Sequence, residues 1–260
     1  MLRTEQKMNN RTIAFCTLGC KVNQYETNAM IQEFMKNGYK IVEFDEKADV
    51  YVVNTCTVTN MADRKSRQML RKVKELNPNS ILAAVGCYAQ VSKEELEKIP
   101  EIDLILGTNK KNELLEYINK MSENRDILNP STKTQDITDV LHCEEYVDFG
   151  DVTFTEKTRA VIKVQDGCDR FCSYCIIPYA RGHVRSRKKE SVISEITKIA
   201  QNGIKEVVIT GIHLASYGKD FKEENYRLID LLEDINKIKG IERIRLRLAR
   251  TNTNYRRICR

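Results

Sequence analysis

Three cysteines lie close together in the segment GCDRFCSYC (167–175), between a predicted strand and a predicted helix. They are Cys168, Cys172 and Cys175, at spacings of four and three residues. Three thiolates on one tight loop can bind three corners of a cubane iron–sulfur cluster and leave the fourth iron open to a substrate. An open iron suits the reductive cleavage of the sulfonium of S-adenosylmethionine, so the spacing predicts a [4Fe–4S] cluster for radical chemistry.

Zinc ligation and purely structural cysteines remain as alternatives. Zinc sites generally pair one C-x2-C with a second such pair, and no fourth cysteine or histidine lies at a matching distance. His183, the nearest candidate, follows Cys175 by eight residues. Tyr174, between the second and third thiols, either packs on the adenine of the cofactor or fills the core.

A second set of cysteines is spread through the first part of the chain. Cys20, Cys56 and Cys87 each fall at the carboxyl end of a predicted strand. Such ends converge on one edge of a parallel α/β sheet, where ligands bind, so three thiolates there could hold a second cluster. The alternative is three buried free cysteines. Cys16 is expected to face the core or the opposite side, and neither it nor Cys143 is assigned a role.

The elements that must position these cysteines alternate between strands and helices. In the first part of the chain we predict strands over 12–19, 48–56 and 80–87 and helices over 23–38 and 60–77. In the second part we predict strands over 159–167, 205–211 and 243–248 and helices over 190–203 and 226–240. The pattern indicates mainly parallel α/β layers. The polar segment 122–156 between them is predicted to be a linker with room for one edge strand.

Length and composition limit the class of protein. The 260 residues, 41% of them hydrophobic, suffice for one large or two modest domains. No stretch of about 18 uncharged apolar residues is present, and the N-terminus lacks the apolar run of a signal peptide. We therefore expect a cytoplasmic protein without a membrane segment. Its nine cysteines, an odd number, favour metal ligation over disulfides, because cytosolic thiols are kept reduced.

Five segments together resemble the radical methylthiotransferases. They are TLGCKVNQYET (17–27), NTCTVTNMADRKSR (54–67), GCYAQ (86–90), GCDRFCSYCIIPYARG (167–182) and TGIHLASYG (210–218). Within that family the sequences of these segments are most similar to those of the branch that modifies N6-threonylcarbamoyladenosine in tRNA. The resemblance covers nearly the whole chain up to about residue 247, and five motifs in the same order are unlikely to coincide by chance.

The resemblance implies a domain organisation. Residues 1–121 would form a parallel α/β methylthiotransferase domain with an auxiliary cluster, 122–156 a linker, and 157–247 a truncated radical S-adenosylmethionine core. The second region would be an incomplete (β/α) partial barrel. Gly211, with the loop to Tyr217 and Gly218, would line the S-adenosylmethionine pocket; a simple strand-to-loop turn is the alternative.

The resemblance also implies a mechanism with two [4Fe–4S] clusters. The cluster on Cys20, Cys56 and Cys87 would carry the sulfur, which one S-adenosylmethionine methylates. A second S-adenosylmethionine at the other cluster would yield the radical that activates carbon 2 of the adenine next to the tRNA anticodon. The expected partners are tRNA and an electron-donor protein such as flavodoxin or ferredoxin. Alternatives are a sister enzyme acting on isopentenyladenosine in tRNA or on a ribosomal protein, and a non-catalytic metal-binding protein.

Two stretches are rich in basic residues. One follows the cysteine loop and contains Arg181, Arg185, Arg187, Lys188 and Lys189. The other is a predicted helix that contains Arg64, Lys65, Arg67, Arg71 and Lys72. Each stretch is interpreted either as a solvated helix face or as a set of phosphate contacts for tRNA.

The last residues, 248–260, do not fit the pattern of the chain before them. They show no apolar periodicity, where family members continue with a Ser-Leu-Glu-Pro motif. A permitted back-translation shifted by one base restores that motif, so we predict a frameshifted tail. The tail holds four arginines and no acid, and subtracting these from the net charge of +6 leaves +2. We expect a chain with half a barrel to be unstable or inactive, because sheet edges and helix faces stay uncovered.

Overall fold

The computed structural model of this chain describes residues 11–123, 133–154, 158–222 and 225–247. The predicted frameshifted tail therefore lies outside the described residues. The chain divides into two compact units. Unit 1 contains the residues up to Leu18 and Ala29–Ile137, and unit 2 contains Gly19–Asn28 and the residues from Thr138 onward.

Unit 1 contains a six-stranded sheet in which all neighbouring strands are parallel. In chain order its strands are β1 (Thr12–Thr17), β2 (Lys40–Val42), β3 (Val50–Thr55), β4 (Ile81–Gly86), β5 (Leu104–Leu106) and β6 (Thr134–Asp136). Across the sheet the order is β2-β1-β3-β4-β5-β6. Both faces of β3 and β4 are buried, which explains their continuous runs of branched and small apolar residues. The predicted parallel α/β fold is confirmed.

Helices cover both faces of this sheet. They are α1 (Lys21–Lys36), α2 (Asn60–Leu76), α3 (Cys87–Val91), α4 (Lys93–Glu97) and α5 (Leu114–Glu123). Because successive strand residues point to opposite faces, Tyr51 and Val53 pack in one core with Leu70 of α2. Val52 packs in the other core with Phe34 of α1. The residues of α1 up to Asn28 belong to unit 2.

Both ends of α2 follow from the sequence. Thr59 is the N-cap, and its Oγ1 accepts a hydrogen bond from the backbone N–H of Ala62 at 3.2 Å. The helix ends at Leu76, two residues before Pro78, since a proline disfavours helical geometry in the residue before it. The buried positions Ser66, Leu70 and Val73 lie on one face and leave the basic residues on the other.

Unit 2 contains a four-stranded sheet in the order β10-β9-β7-β8. Its strands are β7 (Arg159–Asp166), β8 (Arg185–Ser186), β9 (Glu206–Gly211) and β10 (Arg243–Leu246), and only β8 is antiparallel to its neighbour. Its helices are α6 (Ile177–Arg181), α7 (Lys189–Gln201) and α8 (Leu228–Asn236). Ile162 and Ile209 of the sheet pack against Ile196 of α7 and Leu231 of α8. The predicted strands and long helices of this region are confirmed.

The segment predicted as a linker contributes to both units. β6 is its edge strand and pairs with β5 in unit 1. A 3₁₀ turn at Val140–His142 belongs to unit 2, where it contacts α6. Within the described ranges, no helix is long and apolar enough to cross a membrane.

Candidate metal centre and cofactor site

The three-cysteine loop begins directly after β7, at Gly167. Gly167 has a positive φ of 69°, and a Cβ there would lie 1.8 Å from the carbonyl oxygen of His183. Only glycine can therefore make this turn without moving the neighbouring backbone. The amide of Cys168 then donates a hydrogen bond to the carbonyl of Gly182 at 3.0 Å, and this bond links the start of the loop to the residue that follows α6.

The interior of the loop is a tight turn. The amide of Cys175 donates to the carbonyl of Cys172 at 2.9 Å. Phe171 has a φ of 42° and is the one non-glycine residue of the described part with a left-handed backbone. Such a conformation costs free energy and persists where the surrounding structure imposes it, often at functional sites. The backbone between Cys168 and Cys175 is thus held in a defined conformation.

The thiols of the loop lie at a half-open surface. Cys168, Cys172 and Cys175 are partly buried and free of disulfides. Tyr174, by contrast, is 81% exposed, so the alternative that its ring fills the core is wrong. His183 is exposed, and its Nδ1 lies 2.7 Å from Oδ1 of Asp169.

The loop fits an iron–sulfur cluster better than a single metal ion. Among the described residues, no three side chains of His, Cys, Asp or Glu are arranged to hold one metal ion. The thiolates of a cubane each bind a different iron, so they must lie farther apart than the ligands of a single zinc. Cys168, Cys172 and Cys175 are partly exposed and free of disulfides, so all three are available as ligands.

The residues predicted to line the S-adenosylmethionine pocket lie at the carboxyl end of β9. A Cβ at Gly211 would lie 2.9 Å from Oε1 of Gln165, so this position allows β9 to pack closely on the end of β7. Tyr217 is buried, and its hydroxyl donates to the carbonyl of Arg187 at 2.9 Å. Gly218 has a φ of 79° and turns where a Cβ would lie 2.0 Å from the carbonyl of Tyr226. Their contact with a cofactor stays a prediction.

In unit 1 the structure brings two cysteines of the second set to neighbouring positions. Thr55 at the end of β3 pairs with Gly86 at the end of β4, and Cys56 and Cys87 directly follow this pair. Gly86 has a φ of 103°, and a Cβ there would lie 2.7 Å from the carbonyl oxygen of Thr55. Both thiols are buried and free of disulfides. This edge of the sheet is where the convergence argument places ligands.

The remaining cysteines of the described chain have different environments. Cys20 belongs to unit 2, and its carbonyl accepts a hydrogen bond from the amide of Gln24 at 3.1 Å, which starts α1. Burial raises the pKa of the Cys16 thiol in unit 1, against the smaller effect of Lys65. Cys143 donates through its Sγ to the carbonyl of Asp139 at 3.4 Å.

The basic stretch after the cysteine loop is mostly buried, which corrects both interpretations of it. Arg181, Arg185 and Arg187 are 0%, 2% and 0% exposed, so they form neither a solvated face nor a surface for phosphates. Arg187 forms ion pairs with Glu195 and Asp148. Burial raises the pKa of Glu195 to about 7, although Arg187 pulls it the other way. Lys188 alone of this stretch is exposed.

A group of polar residues that the sequence analysis missed surrounds Arg181 in unit 2. Its guanidinium contacts Asp166, Glu26 and Asn23 at distances from 2.6 to 3.1 Å. Burial alone would raise the pKa of Asp166, but Arg181 and Lys163 hold it below its usual range. The signal was present, because charged residues interrupt the buried β7 and the apolar side of α1, but no local spacing pairs them.

The basic helix α2 keeps its charges at the surface. Arg64, Lys65, Arg71 and Lys72 are exposed, whereas Arg67 is half-buried and donates to the hydroxyl of Tyr88 at 2.6 Å. An open groove of about 700 Å³ runs along this face. It is lined by Arg64, Arg67, Gln68, Arg71, Lys72 and Glu75. Of the acids that the structure describes, none lies within ion-pair distance of Arg64, Arg71 or Lys72.

Two families match this chain in succession. Residues 12–107 match the family described as uncharacterized protein family UPF0004, and residues 162–259 match the radical SAM superfamily. The first match contains Cys20, Cys56 and Cys87, and the second contains the three-cysteine loop. The second region is that of a radical S-adenosylmethionine protein. Together with the relatives below, the two regions show that the chain belongs to the radical S-adenosylmethionine methylthiotransferase family.

Curated relatives share this sequence over most of its length. The chain is 43% identical over 235 residues to threonylcarbamoyladenosine tRNA methylthiotransferase MtaB of Bacillus subtilis, covering 90% of this chain and 51% of the relative. It is 44% identical over 234 residues to MtaB of Aquifex aeolicus, covering 90% and 55%. The chain thus spans about half the length of the curated relatives it matches.

A solved structure shares the fold. The radical S-adenosylmethionine methyltransferase TsrM from Kitasatospora setae superposes with a TM-score of 0.55 at 15% identity. The match covers 86% of this chain and 51% of that one. At this identity the likeness supports the α/β fold and nothing about the reaction.

Proposed function

We propose that this chain serves the transfer of a methylthio group to carbon 2 of N6-threonylcarbamoyladenosine, next to the anticodon of tRNA. The observation that carries the proposal is the presence of two cysteine sets on one chain: a three-cysteine loop after β7, and Cys56 and Cys87 directly after the paired ends of β3 and β4. The similarity to MtaB over 90% of the chain favours this nucleoside over the substrates of the sister enzymes.

The proposed cofactors are two [4Fe–4S] clusters and S-adenosylmethionine. Cys168, Cys172 and Cys175 would hold one cluster. Cys56 and Cys87, which follow the paired ends of β3 and β4, would hold the second together with Cys20, whose inclusion rests on the sequence resemblance. When bound, these groups would supply the radical and the sulfur. The protein itself would supply cysteines that are free of disulfides, with a separate set of ligands for each cluster.

The loop and the end of β9 would receive S-adenosylmethionine. Tyr174 is the most exposed aromatic residue of the cysteine loop and is free to pack on an adenine ring. Gly211, Tyr217 and Gly218 shape the adjoining backbone, where Gly211 allows close approach of β9 to Gln165. We propose that these four residues form the cofactor site. Tyr217 would act indirectly, by holding the loop after β9 through its hydrogen bond to the carbonyl of Arg187.

The proposed partners are tRNA and an electron-donor protein such as flavodoxin or ferredoxin, in the cytoplasm. The exposed basic face of α2 is the surface we assign to RNA, because unpaired Lys and Arg side chains supply most of the affinity for phosphates. The domain division into 1–121, a linker over 122–156 and a radical core over 157–247 belongs to the same proposal.

Iron counting after anaerobic reconstitution tests the two-cluster assignment. About eight irons per chain are expected for two cubanes, and Cys172→Ala should lower this to about four. Cys143→Ala is the matched control, because Cys143 is also partly buried but lies in neither set. About one zinc per chain, with no iron uptake, would instead identify a structural metal-binding protein.

Analysis of tRNA nucleosides tests the substrate. A strain that lacks the gene should lose the 2-methylthio form of N6-threonylcarbamoyladenosine and keep the 2-methylthio form of isopentenyladenosine. Loss of the isopentenyl product instead would assign the chain to the sister branch. Restoration of the modification by the wild-type gene, but not by the Cys172→Ala variant, would link the activity to the loop.

A further inference from the structure

Arg181 makes more buried polar contacts than a packing role requires. One of its terminal nitrogens donates to Glu26 at 2.8 Å and to both oxygens of Asp166 at 3.0 and 3.1 Å. The other donates to Asn23 at 2.6 Å and to the second oxygen of Glu26 at 3.1 Å. Lys163 completes the network with ion pairs to Glu26 at 2.7 Å and to Asp166 at 2.6 Å.

The network is buried, and each of its cations is paired with both of its carboxylates. Two cations, Arg181 and Lys163, face two carboxylates, Glu26 and Asp166, and none of these four or Asn23 is more than 6% exposed. Buried charges that are fully paired and hydrogen-bonded hold their geometry closely, because any displacement leaves a charge without a partner. The planar guanidinium fixes the directions of its donors, which a lysine ammonium cannot reproduce.

The partners of Arg181 lie next to both sets of predicted cluster ligands. Asp166 precedes Gly167 and Cys168, and its Oδ1 also accepts the amide of Gly167 at 2.9 Å. Asn23 is the third residue after Cys20, within the first turn of α1. Arg181 itself ends α6, the helix that follows Cys175. One side chain therefore joins the base of the cysteine loop to the start of the helix that follows Cys20.

Stability alone does not explain such a network. When a buried ion network is replaced by well-packed apolar residues of similar volume, the stability of the protein is often unchanged or higher. What apolar residues cannot do is specify direction. We propose that Arg181 is a positioning residue that holds Cys20 and the three-cysteine loop of unit 2 in a defined geometry. The inference rests on the proposed function only for the identity of the ligands.

The reactivity of the thiols in the reduced, metal-free 260-residue chain tests this positioning. Alkylation of Cys20 and Cys168 by iodoacetamide is followed by mass spectrometry in the wild type and in Arg181→Lys. The lysine keeps the charge but cannot contact Asn23, Glu26 and Asp166 together. We expect both rates to rise about fivefold or more, because local opening of the two segments becomes easier.

Arg187→Lys is the matched control. Arg187 is equally buried and has its own ion pairs to Glu195 and Asp148, and among the described residues none of its contacts is with Asp166. Because Arg187 also donates to the hydroxyl of Tyr25 in α1 at 3.1 Å, the two variants are compared at Cys168. Arg187→Lys should leave the rate of Cys168 unchanged while weakening the fold to a similar degree. An equal change in the rate of Cys168 in the two variants, or no change in Arg181→Lys, would overturn the positioning role.

A milder variant keeps the test valid if Arg181→Lys does not fold. Asn23→Ala removes one neutral contact and leaves the four charges balanced. It should raise the rate at Cys20 more than at Cys168, and equal rates to those of the wild type at both thiols would count against the inference. Because no metal, cofactor or RNA takes part, a failure of iron uptake would reject the proposed function without affecting this result.

Discussion

The two arginine-rich segments of this chain look alike in the sequence and differ completely in environment. The segment after the cysteine loop buries Arg181 and Arg187 against carboxylates and Arg185 against backbone carbonyls, whereas α2 exposes Arg64 and Arg71 to solvent. The difference lies in the acids available to each. Glu26, Asp166 and Glu195 lie within unit 2 and compensate the buried cations, and α2 has few such partners. The local density of basic residues in the sequence therefore does not distinguish buried, ion-paired arginines from arginines on a binding surface.

Removing a buried arginine should have the largest effect on stability. Arg187→Met leaves the carboxylate of Glu195 buried and without its cation, so we expect a loss of about 3–5 kcal/mol in the free energy of unfolding. Urea denaturation of unit 2, followed by fluorescence of a probe on that unit, would measure it. The double variant Arg187→Met/Glu195→Leu should recover most of the loss; a double variant as unstable as the single one would show that packing, rather than charge, is responsible.

Removing exposed arginines should instead weaken RNA binding. Arg64→Ala/Arg71→Ala/Lys72→Ala is expected to lower the affinity for an anticodon stem-loop about tenfold and to reduce the slope of log K against log salt by about 2. Fluorescence anisotropy at several salt concentrations measures both quantities, and thermal unfolding should barely change.

The control for the α2 surface removes an equal number of positive charges from other parts of unit 1. Lys36→Ala/Lys40→Ala/Lys98→Ala deletes three exposed cations that lie outside α2. It should leave the RNA affinity close to that of the wild type. An equal loss of affinity in both triple variants would mean that RNA responds only to net charge.

Arg67 lies between the two extremes and should show an intermediate effect. Its guanidinium donates to the hydroxyl of Tyr88 and to Glu95 at 3.1 Å, but it remains about one-third exposed. Solvent screening limits such a pair, so Arg67→Ala should cost about 1 kcal/mol at most in chemical denaturation. Arg64→Ala, one turn away without these partners, should cost less. If Arg64→Ala proves the more costly, the contacts of Arg67 contribute no stability.

The same contact gives a pH dependence. Burial and the hydrogen bond to Glu95 raise the pKa of Tyr88 to about 12. A phenol whose pKa is higher in the folded state stabilises that state fully below about pH 10, its usual pKa, and loses this contribution as the pH rises toward 12. Tyr88→Phe should remove part of the decline in stability between these values. An unchanged decline would assign it to other tyrosines.

The smallest effect is expected at Cys16. Burial raises the pKa of its thiol and lowers the fraction of reactive thiolate at neutral pH. Cys16→Ala should therefore leave iron uptake unchanged, and Cys16 should be alkylated more slowly than a cysteine in a short unfolded peptide. Loss of iron in Cys16→Ala would give this residue the role that its burial argues against.

The sequence predicted the parts of the molecule that depend on local pattern. β3 and β4 follow from buried runs, α2 from its amphipathic pattern and Pro78, and the three-cysteine loop from spacing alone. It did not predict β2 or β8, which have three and two residues and too little pattern of their own. Nor could it predict that Arg181 contacts Glu26, because 155 positions separate them and only the tertiary fold brings them together.

The pairing of Thr55 with Gly86 has a consequence for how these proteins can vary. Cys56 and Cys87 directly follow this pair, so the backbone positions at which they begin are set by strand register and do not depend on the length of the chain that connects the strands. Insertions between α2 and β4 would lengthen a surface connection and leave Cys56 and Cys87 where they are. A single residue added within β3 would instead turn every following side chain to the other face of the sheet. The backbone positions of the two cysteines therefore depend on the sheet, whereas the connecting loops can change in length and sequence.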